Sequence, residues 1–400
     1  MPIERDLAPK LRAAAEQWPA VTLTGPRQSG KTTLCAAVFG DRPQVSLEDP
    51  DTRAFADEDP RGFLAQFDDG AVIDEVQRVP DLPSYLQGII DADPVPGRWI
   101  LTGSHNLALV QSVSQSLAGR TAVLHLLPLA RSEAIRFDSF PHSLDEALIV
   151  GGFPPIFDRG FEASDWLASY VATYLERDAR TITNVGDLNT FNRFVQLCAG
   201  RSGQLLNYSA LAGDCGISQP TAKAWLSVLE ALFVVFRLDA FAANTRKRLV
   251  RMPKLHFYDS GLACWLLGIR TPEQLHSHPL RGAMYETWVA SEIVKHRANR
   301  GVRGGVTHYR DRSGTEVDLV VENADEPQAG ISLVEARATA TPSGRLLDGP
   351  RRVRAHLTDE HPRASAVAVA VYGGTETQHR SDGSLVAWHE LHHSTLGTAP

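Results

Sequence analysis

The strongest constraint on this chain lies in residues 21–34, V-T-L-T-G-P-R-Q-S-G-K-T-T-L. An apolar run leads into a glycine-bounded turn and a helix start, with the spacing G-x-x-x-x-G-K-[ST] of a phosphate loop. Gly25 and Gly30 permit turns that a Cβ would block, so the backbone through Pro26, Arg27, Gln28, Ser29, Lys31, Thr32 and Thr33 can wrap phosphate oxygens. The helix opening at Lys31 adds the positive end of its dipole. Lys31 is expected to reach the β- and γ-phosphates, and the Thr32 hydroxyl to ligate Mg²⁺. The bland alternative is a glycine-rich surface loop.

A second motif decides between them. Gly70-Ala71-Val72-Ile73-Asp74-Glu75 is an apolar run ending in paired carboxylates, the form of a Walker B strand. Asp74 would hold the Mg²⁺, and Glu75 would orient and deprotonate the attacking water. A solvated helix start is the competing reading of that pair. Together the motifs predict Mg²⁺-dependent ATP binding and hydrolysis.

Around them the pattern alternates. Residues 7–17 read as an entry helix, 33–39 as helix, 45–47 as a strand, 82–90 as a helix and 98–104 as a strand. The acidic turn Glu48-Asp49-Pro50-Asp51 reads as a stop, because its proline ends regular structure. Such alternation implies a parallel sheet covered on both faces, with ligands beyond the carboxyl ends of its strands. Ser104, at that edge, is the candidate γ-phosphate sensor, with His105 or Asn106 sharing the role and plain helix capping as the alternative. Arg120 precedes the strand 122–127 and is the candidate arginine finger, acting on a neighbouring subunit; an ordinary salt bridge is its alternative.

The motifs G-P-R-Q-S-G-K-T-T-L, A-V-I-D-E-V-Q, L-T-G-S and L-A-G-R followed by L-P-L together resemble a widespread prokaryotic family of AAA-type ATPases with a C-terminal domain of unknown function. The resemblance continues through Gly151-Gly152-Phe153-Pro154 and the segment Y-V-A-T-Y-L-E-R-D at 170–178. It implies an N-terminal P-loop ATPase, a helical middle and a nuclease-like end, an α/β chain overall.

Four hundred residues suit two or three domains. We divide them as 1–150, 151–275 and 276–400. Hydrophobic content of 43% with 22% charged residues is that of a globular protein. The net charge of −7 disfavours a chain that coats nucleic acid indiscriminately, though not one with a local basic patch. Four scattered cysteines form no C-x-x-C pair, which fits a reducing compartment and gives no zinc site. No apolar run is long enough to span a bilayer, and residues 1–10 lack the apolar core of a secretory signal. The expected location is cytoplasmic.

The break at 151–155 follows a helix over 145–150, and 162–180 reads as one amphipathic helix. Residues 208–212 and 219–232 form two further helical segments around a glycine turn capped at Ser218, the arrangement of a helix-turn-helix. A strand at 233–238 and a loop at 244–252 would complete a winged helix. Lys223 lies on the recognition helix, and Arg246, Lys247, Arg248, Arg251 and Lys254 cluster beyond the strand, suited to DNA phosphates. Winged helices also serve as protein contacts, so that reading stays open.

The last segment has a helix at 282–293, strands around 308–310, 316–321 and 331–337, a helix near 353–356 and a closing strand at 366–372. Its spacing resembles a restriction-endonuclease-like core. That resemblance makes Glu286 the helix carboxylate and Asp318 and Glu335 the metal ligands, with Arg337 where a lysine is usual. Arginine cannot readily take a lysine's proton-transfer role, so a degenerate, non-cleaving nuclease fold is expected.

Three functions follow. The leading one is an ATPase that binds duplex or branched DNA in recombination, repair or mobile-element defence, as a homo-oligomer or ring. The others are a nucleotide-dependent switch for protein partners and an ATP-dependent metal nuclease.

Overall fold

Strand β1 (Ala20–Thr24) is buried along its whole length, as is β4 (Trp99–Gly103). A strand buried on both faces has no solvated side; β4 accordingly reads as a mostly apolar run, while β1 buries Thr22 and Thr24 with their hydroxyls paired to Thr121 and His125. With β2 (Gln44–Ser46), β3 (Ala71–Asp74) and β5 (Thr121–His125) they form a parallel sheet in the order β2-β3-β4-β1-β5. Val21 and Leu23 pack on one face with Leu11 and Leu34 from the helices Ala8–Gln17 and Lys31–Val38, and with Leu7, which caps the first of them. Ala20, Ile73 and Leu101 pack on the other with Phe63, Leu82 and Leu86, the last two from the helix Leu82–Ala92. The structure is a computed structural model, and the residues it describes are 3–104, 116–177, 187–241, 251–322, 330–360 and 366–391.

One local expectation fails here. Pro50 does not stop regular structure; it opens the helix Pro50–Glu58, with the Asp49 side chain accepting from Thr52 N at 2.9 Å. A proline's fixed φ suits the first helical position, where its missing N–H has no partner to lose.

The break after the helix Leu144–Val150 is a tight seat. Gly151 has φ +71°, and the Asp259 carboxylate accepts from Gly152 N at 2.7 Å. A Cβ at Gly151 would collide with that carboxylate, and one at Gly152 would stand 2.5 Å from Leu129 O. Phe153, buried, then packs against Trp166 and Tyr170 at ring distances of 4.9 and 4.7 Å. The helix Ala163–Tyr170 passes into a π-helical turn, Val171–Leu175, rather than the single regular helix expected. Residues 178–180 of that expectation lie outside the described residues.

Three helices follow, Leu188–Ala199, Tyr208–Cys215 and Gln219–Ala231, capped by the side chains of Asp187, Asn207 and Ser218. Phe191 and Phe194 each meet Trp225 edge-on at 5.4 Å. Strands β6 (Gln204–Leu205), β7 (Val235–Leu238) and β8 (Lys254–Phe257) make an antiparallel sheet in the order β6-β8-β7.

A long, largely buried helix, Arg281–Asn299, leads into a mixed six-stranded sheet in the order β13-β14-β12-β11-β10-β9. Its strands are β9 (Val306–Arg310), β10 (Glu316–Glu322), β11 (Ile331–Arg337), β12 (Ala366–Tyr372), β13 (Gln378–Arg380) and β14 (Gly383–Ala387). The 366–372 strand is therefore internal rather than closing. Its continuous burial, like that of β1, records neighbours on both sides. One hydrophobic cluster runs from Leu129 and Leu148 through Trp225 and Trp288 to Val386, so the middle and last segments share a core. Among the described residues, no helix is long and apolar enough to cross a membrane.

Candidate nucleotide site

The loop between β1 and the helix Lys31–Val38 needs its glycines. A Cβ on Gly25 would collide with Leu126 O, and Gly30 caps the helix at φ +91°. Gln28, without being glycine, also takes a left-handed conformation at φ 63°. A residue held there costs on the order of 1 kcal/mol or more, which surrounding contacts must offset. Arg5 supplies some of them: it donates to Ser29 O at 2.6 Å and Leu127 O at 2.9 Å while paired with the buried Glu133 at 2.7 Å. Sequence reading gave Arg5 no role, since nothing local marks a clamp that acts from outside the motif.

Lys31 is buried and turns back over the loop, donating to Gly25 O at 3.0 Å and Pro26 O at 2.8 Å. Burial pushes its pKa down to about 8, against the pull of Glu75 and Asp74. The Ser29 hydroxyl is buried with no hydrogen-bond partner among the described residues. An ammonium whose partners among the described residues are carbonyls, and an orphaned hydroxyl in a cradle of left-handed turns, suit a polyanion.

Parallel registry brings the other candidates to the same edge. Thr24 lies opposite Gly103 and Ile73 opposite Leu101. Thr32 Oγ1 donates to Asp74 Oδ2 at 3.0 Å, and Thr102 Oγ1 donates to Asp74 Oδ1. That hydroxyl–carboxylate pair has the donor chemistry for Mg²⁺, which prefers one or two oxygens from protein and completes its octahedron with phosphate and water. Glu75 is mostly buried in a left-handed conformation (φ 57°), its Oε2 accepting from Ser104 Oγ at 3.2 Å and from Gln77 Nε2. Ser104 thus stands against Glu75, as its edge position predicts, while His105 and Asn106 lie outside the described residues. Gln77 and Thr102 were missed, although both sit within two residues of a motif position.

Arg120 stands away from the phosphate loop of its own chain. It precedes β5, so parallel pairing puts it at the amino edge of the sheet, about 16 Å from the loop by strand length. There its guanidinium makes a two-pronged pair with Asp91, with Nη2 at 2.9 Å from Oδ2. Within one chain this is the ordinary salt bridge named as its alternative, whereas the finger is expected to act on a neighbouring subunit.

Arginines reach the cleft from elsewhere. A cavity of about 410 Å³ beside Lys31, Thr32, Asp74 and Glu75 is also lined by Pro154, Asp158, Arg159, Tyr174 and Arg177, which follow the Gly151–Gly152 seat. Gln28 Nε2 donates to Tyr174 OH at 3.0 Å. Arg27 and Arg177 lie 5.8 and 5.9 Å from the Tyr174 ring. Arg177 belongs to a segment quoted above for its resemblance, but only the fold reveals that the π-helical turn delivers it to the phosphate loop.

The second candidate cluster is also assembled, with an unforeseen centre. Lys254 Nζ lies 2.8 Å from Glu286 Oε1, 2.7 Å from Glu316 Oε1 and 3.3 Å from Asp318 Oδ1. Arg337 pairs with Glu335 and lies 3.7 Å from Asp318 Oδ2. Burial, then the charge of Asp318, pushes Glu286 and Glu335 each up to about 8. Burial disfavours the Lys254 ammonium too, but the surrounding carboxylates outweigh it and hold its pKa above the ordinary value.

Lys254 is therefore no surface contact for DNA, as its place in a basic run had suggested; it is 2% exposed. Lys223 is exposed on the helix Gln219–Ala231, its ammonium 5.5 Å from the Tyr208 ring, and Arg251 is exposed. Arg246, Lys247 and Arg248 lie outside the described residues.

Comparison with known proteins covers nearly the whole chain. A family described as an AAA domain matches residues 17–135, and two domains of unknown function, DUF8612 and DUF4143, match 141–273 and 281–391. Two proteins known only as uncharacterized, from Mycobacterium bovis and Mycobacterium tuberculosis, are each 34% identical over 344 residues, which make up 85% of this chain and 75% of theirs. Among solved structures, a Walker-type ATPase of Pyrococcus abyssi aligns with a TM-score of 0.44 at 15% identity, over 65% of this chain and 94% of that one.

Proposed function

We propose that this chain, which belongs to one family with these two mycobacterial proteins and carries an AAA domain, hydrolyses Mg²⁺–ATP to control contacts made by its middle and C-terminal segments. The observation that carries the reading is the meeting of Lys31, Thr32, Asp74 and Glu75 at one edge of the parallel sheet. The loop from Gly25 to Thr33 holds the phosphate chain, with Lys31 swinging from its carbonyl partners onto the β- and γ-oxygens. Thr32 and Asp74 hold Mg²⁺, which when bound screens charge on the phosphates. Glu75, steadied by Ser104 and Gln77, accepts the proton of the attacking water.

Arg159 and Arg177 offset the charge that develops on the γ-phosphoryl oxygens. Because they come from the same chain, hydrolysis needs no arginine from a neighbour. Any homo-oligomer or ring then serves partner binding rather than chemistry. Glu75→Gln should keep ATP affinity by calorimetry while turnover collapses, and Lys31→Ala should weaken both. Normal hydrolysis by Glu75→Gln would remove the assigned base.

For the partner we propose DNA, duplex or branched. What supports it is the order helix, strand, two helices around a Gly216 turn, then β7 and β8, which is the layout of a winged helix. The exposed Lys223 stands on its second helix of the pair. Titration of junction, duplex and single-stranded DNA at several salt concentrations tests this, and absence of binding at low salt would leave the protein-switch reading, which the net charge of −7 favours. Cytoplasmic location remains part of the same proposal.

A further inference from the structure

A restriction-endonuclease-like reading of the last segment implies a divalent metal among Glu286, Asp318 and Glu335, and the residues present do not fit one. The place where an ion would draw the carboxylates together is taken by the Lys254 ammonium, within 3.3 Å of oxygens from Glu286, Glu316 and Asp318. Arg337 lies against Glu335 and Asp318 from the other side. Among the described residues, no group of three or more His, Cys, Asp or Glu is arranged to hold a metal.

The origin of the cation is informative. Glu286, Glu316, Asp318, Glu335 and Arg337 all come from the Arg281–Asn299 helix and strands β10 and β11, whereas Lys254 comes from β8 of the preceding three-stranded sheet. The carboxylate set is complete without it and would repel itself. Glu335 adds a second sign of a site built for a cation: it is 7% exposed, and its Oε2 is buried with no hydrogen-bond partner among the described residues. The whole set lines a cavity of about 870 Å³ with Arg345 and Arg352 beside it, wide enough to admit a hydrated ion.

We infer that Lys254 is a built-in cation standing in for a divalent metal, so that the cleft is a metal-free tether between the middle and C-terminal segments with a latent divalent-cation site beneath it. The inference deepens the nuclease-like reading but rests on the position of Lys254 and not on any cleavage activity. An ammonium gives three directed donors and one charge, where Mg²⁺ or Mn²⁺ gives two charges and activates water. With lysine in place the carboxylates are neutralised, but no hydroxide is generated.

The test is Mn²⁺ binding to the EDTA-treated full chain, read by the free-Mn²⁺ electron paramagnetic resonance signal. Lys254→Met keeps length and loses charge. It should bind one more Mn²⁺ than the wild type, at least about 10-fold more tightly, and Lys254→Met with Asp318→Asn should lose that ion. A folded Lys254→Met chain that gains no ion overturns the inference, as does a wild-type chain that already binds Mn²⁺ through Asp318.

Should Lys254→Met fail to fold, the comparison uses chains with Lys254 intact. Mn²⁺ should then shift the wild-type and Asp318→Asn melting temperatures equally, and a shift that depends on Asp318 overturns the inference. DNA cleavage is a separate readout. A latent ion without cleavage in Lys254→Met upholds the lysine's role while removing the nuclease-like reading.

Discussion

Two clefts in this molecule set a buried lysine beside carboxylates at the end of a sheet, and they use it in opposite ways. Among the described residues Lys31 has only carbonyl oxygens of its own loop within hydrogen-bond reach, and burial holds its pKa down to about 8. Lys254 touches three carboxylates and is held firmly protonated. The first lysine is left short of negative charge, as the proposed nucleotide site requires; the second is satisfied by the chain and has nothing left to offer. A buried lysine therefore marks a binding site by the charge it lacks, not by its burial.

The comparison breaks first at Glu75. Replacing it with glutamine should lower the ATPase rate by about 10²- to 10⁴-fold, the usual range for a general base, and a smaller loss in steady-state assays would leave the phosphate cleft without its proton acceptor. Next comes stability. Lys254→Ala leaves buried carboxylates uncompensated and should cost about 3–5 kcal/mol in denaturant unfolding, whereas Lys31→Ala in the nucleotide-free chain should change it far less. Equal losses would erase the distinction.

Arg177→Ala should reduce turnover by about 10-fold or more with ATP affinity changed less, as expected for charge stabilisation that acts in the transition state. The same loss from Arg120→Ala, which should stay within about twofold of wild type because its Asp91 pair lies at the far sheet edge, would return the finger to its first assignment.

The pH effects are smaller; the underlying pKa shifts are opposite in direction, but both effects are losses as pH rises. Free Lys31 loses its proton near pH 8, so ATP affinity should fall as pH rises beyond that point and binding at pH 9 should take up a proton, visible as buffer-dependent heats in calorimetry. Glu286 and Glu335 have folded pKa values raised to about 8 from 4.5. Their contribution to stability is present below pH 4.5 and is lost as pH rises through 8. Melting temperature should fall across that interval, and Glu335→Gln should flatten the slope; an unchanged slope would show that Glu335 does not hold the proton.

Much of the nucleotide cleft was legible because its chemistry is local. Gly25, Gly30, Lys31 and Thr32 act through backbone turns and a helix start that lie within eight residues of one another. Asp74 and Ser104 are placed by strand ends whose order follows from apolar runs. Gln77 and Thr102 flank those positions, and their roles follow only from where their side chains meet Asp74 and Glu75. Arg120 shows a different case: its motif, L-A-G-R, lies at the end of its strand far from the chain's own phosphate loop, which spacing alone does not reveal. Lys254 was misread for a related reason. A basic run suggests a surface, yet β8 is buried along its whole length, and this member of the run lies among carboxylates far away in sequence.

By itself the sequence determined the parallel sheet, the phosphate loop and the helical pair at 208–231, because each depends on periodicity and on residues with special backbone freedom. Tertiary structure alone decided which charges meet. Arg5 and Lys254 owe their partners, and Arg159 and Arg177 the cavity they line, to chain segments dozens to more than a hundred residues away, and Coulomb interactions depend on distance in space, about which spacing along the chain says nothing.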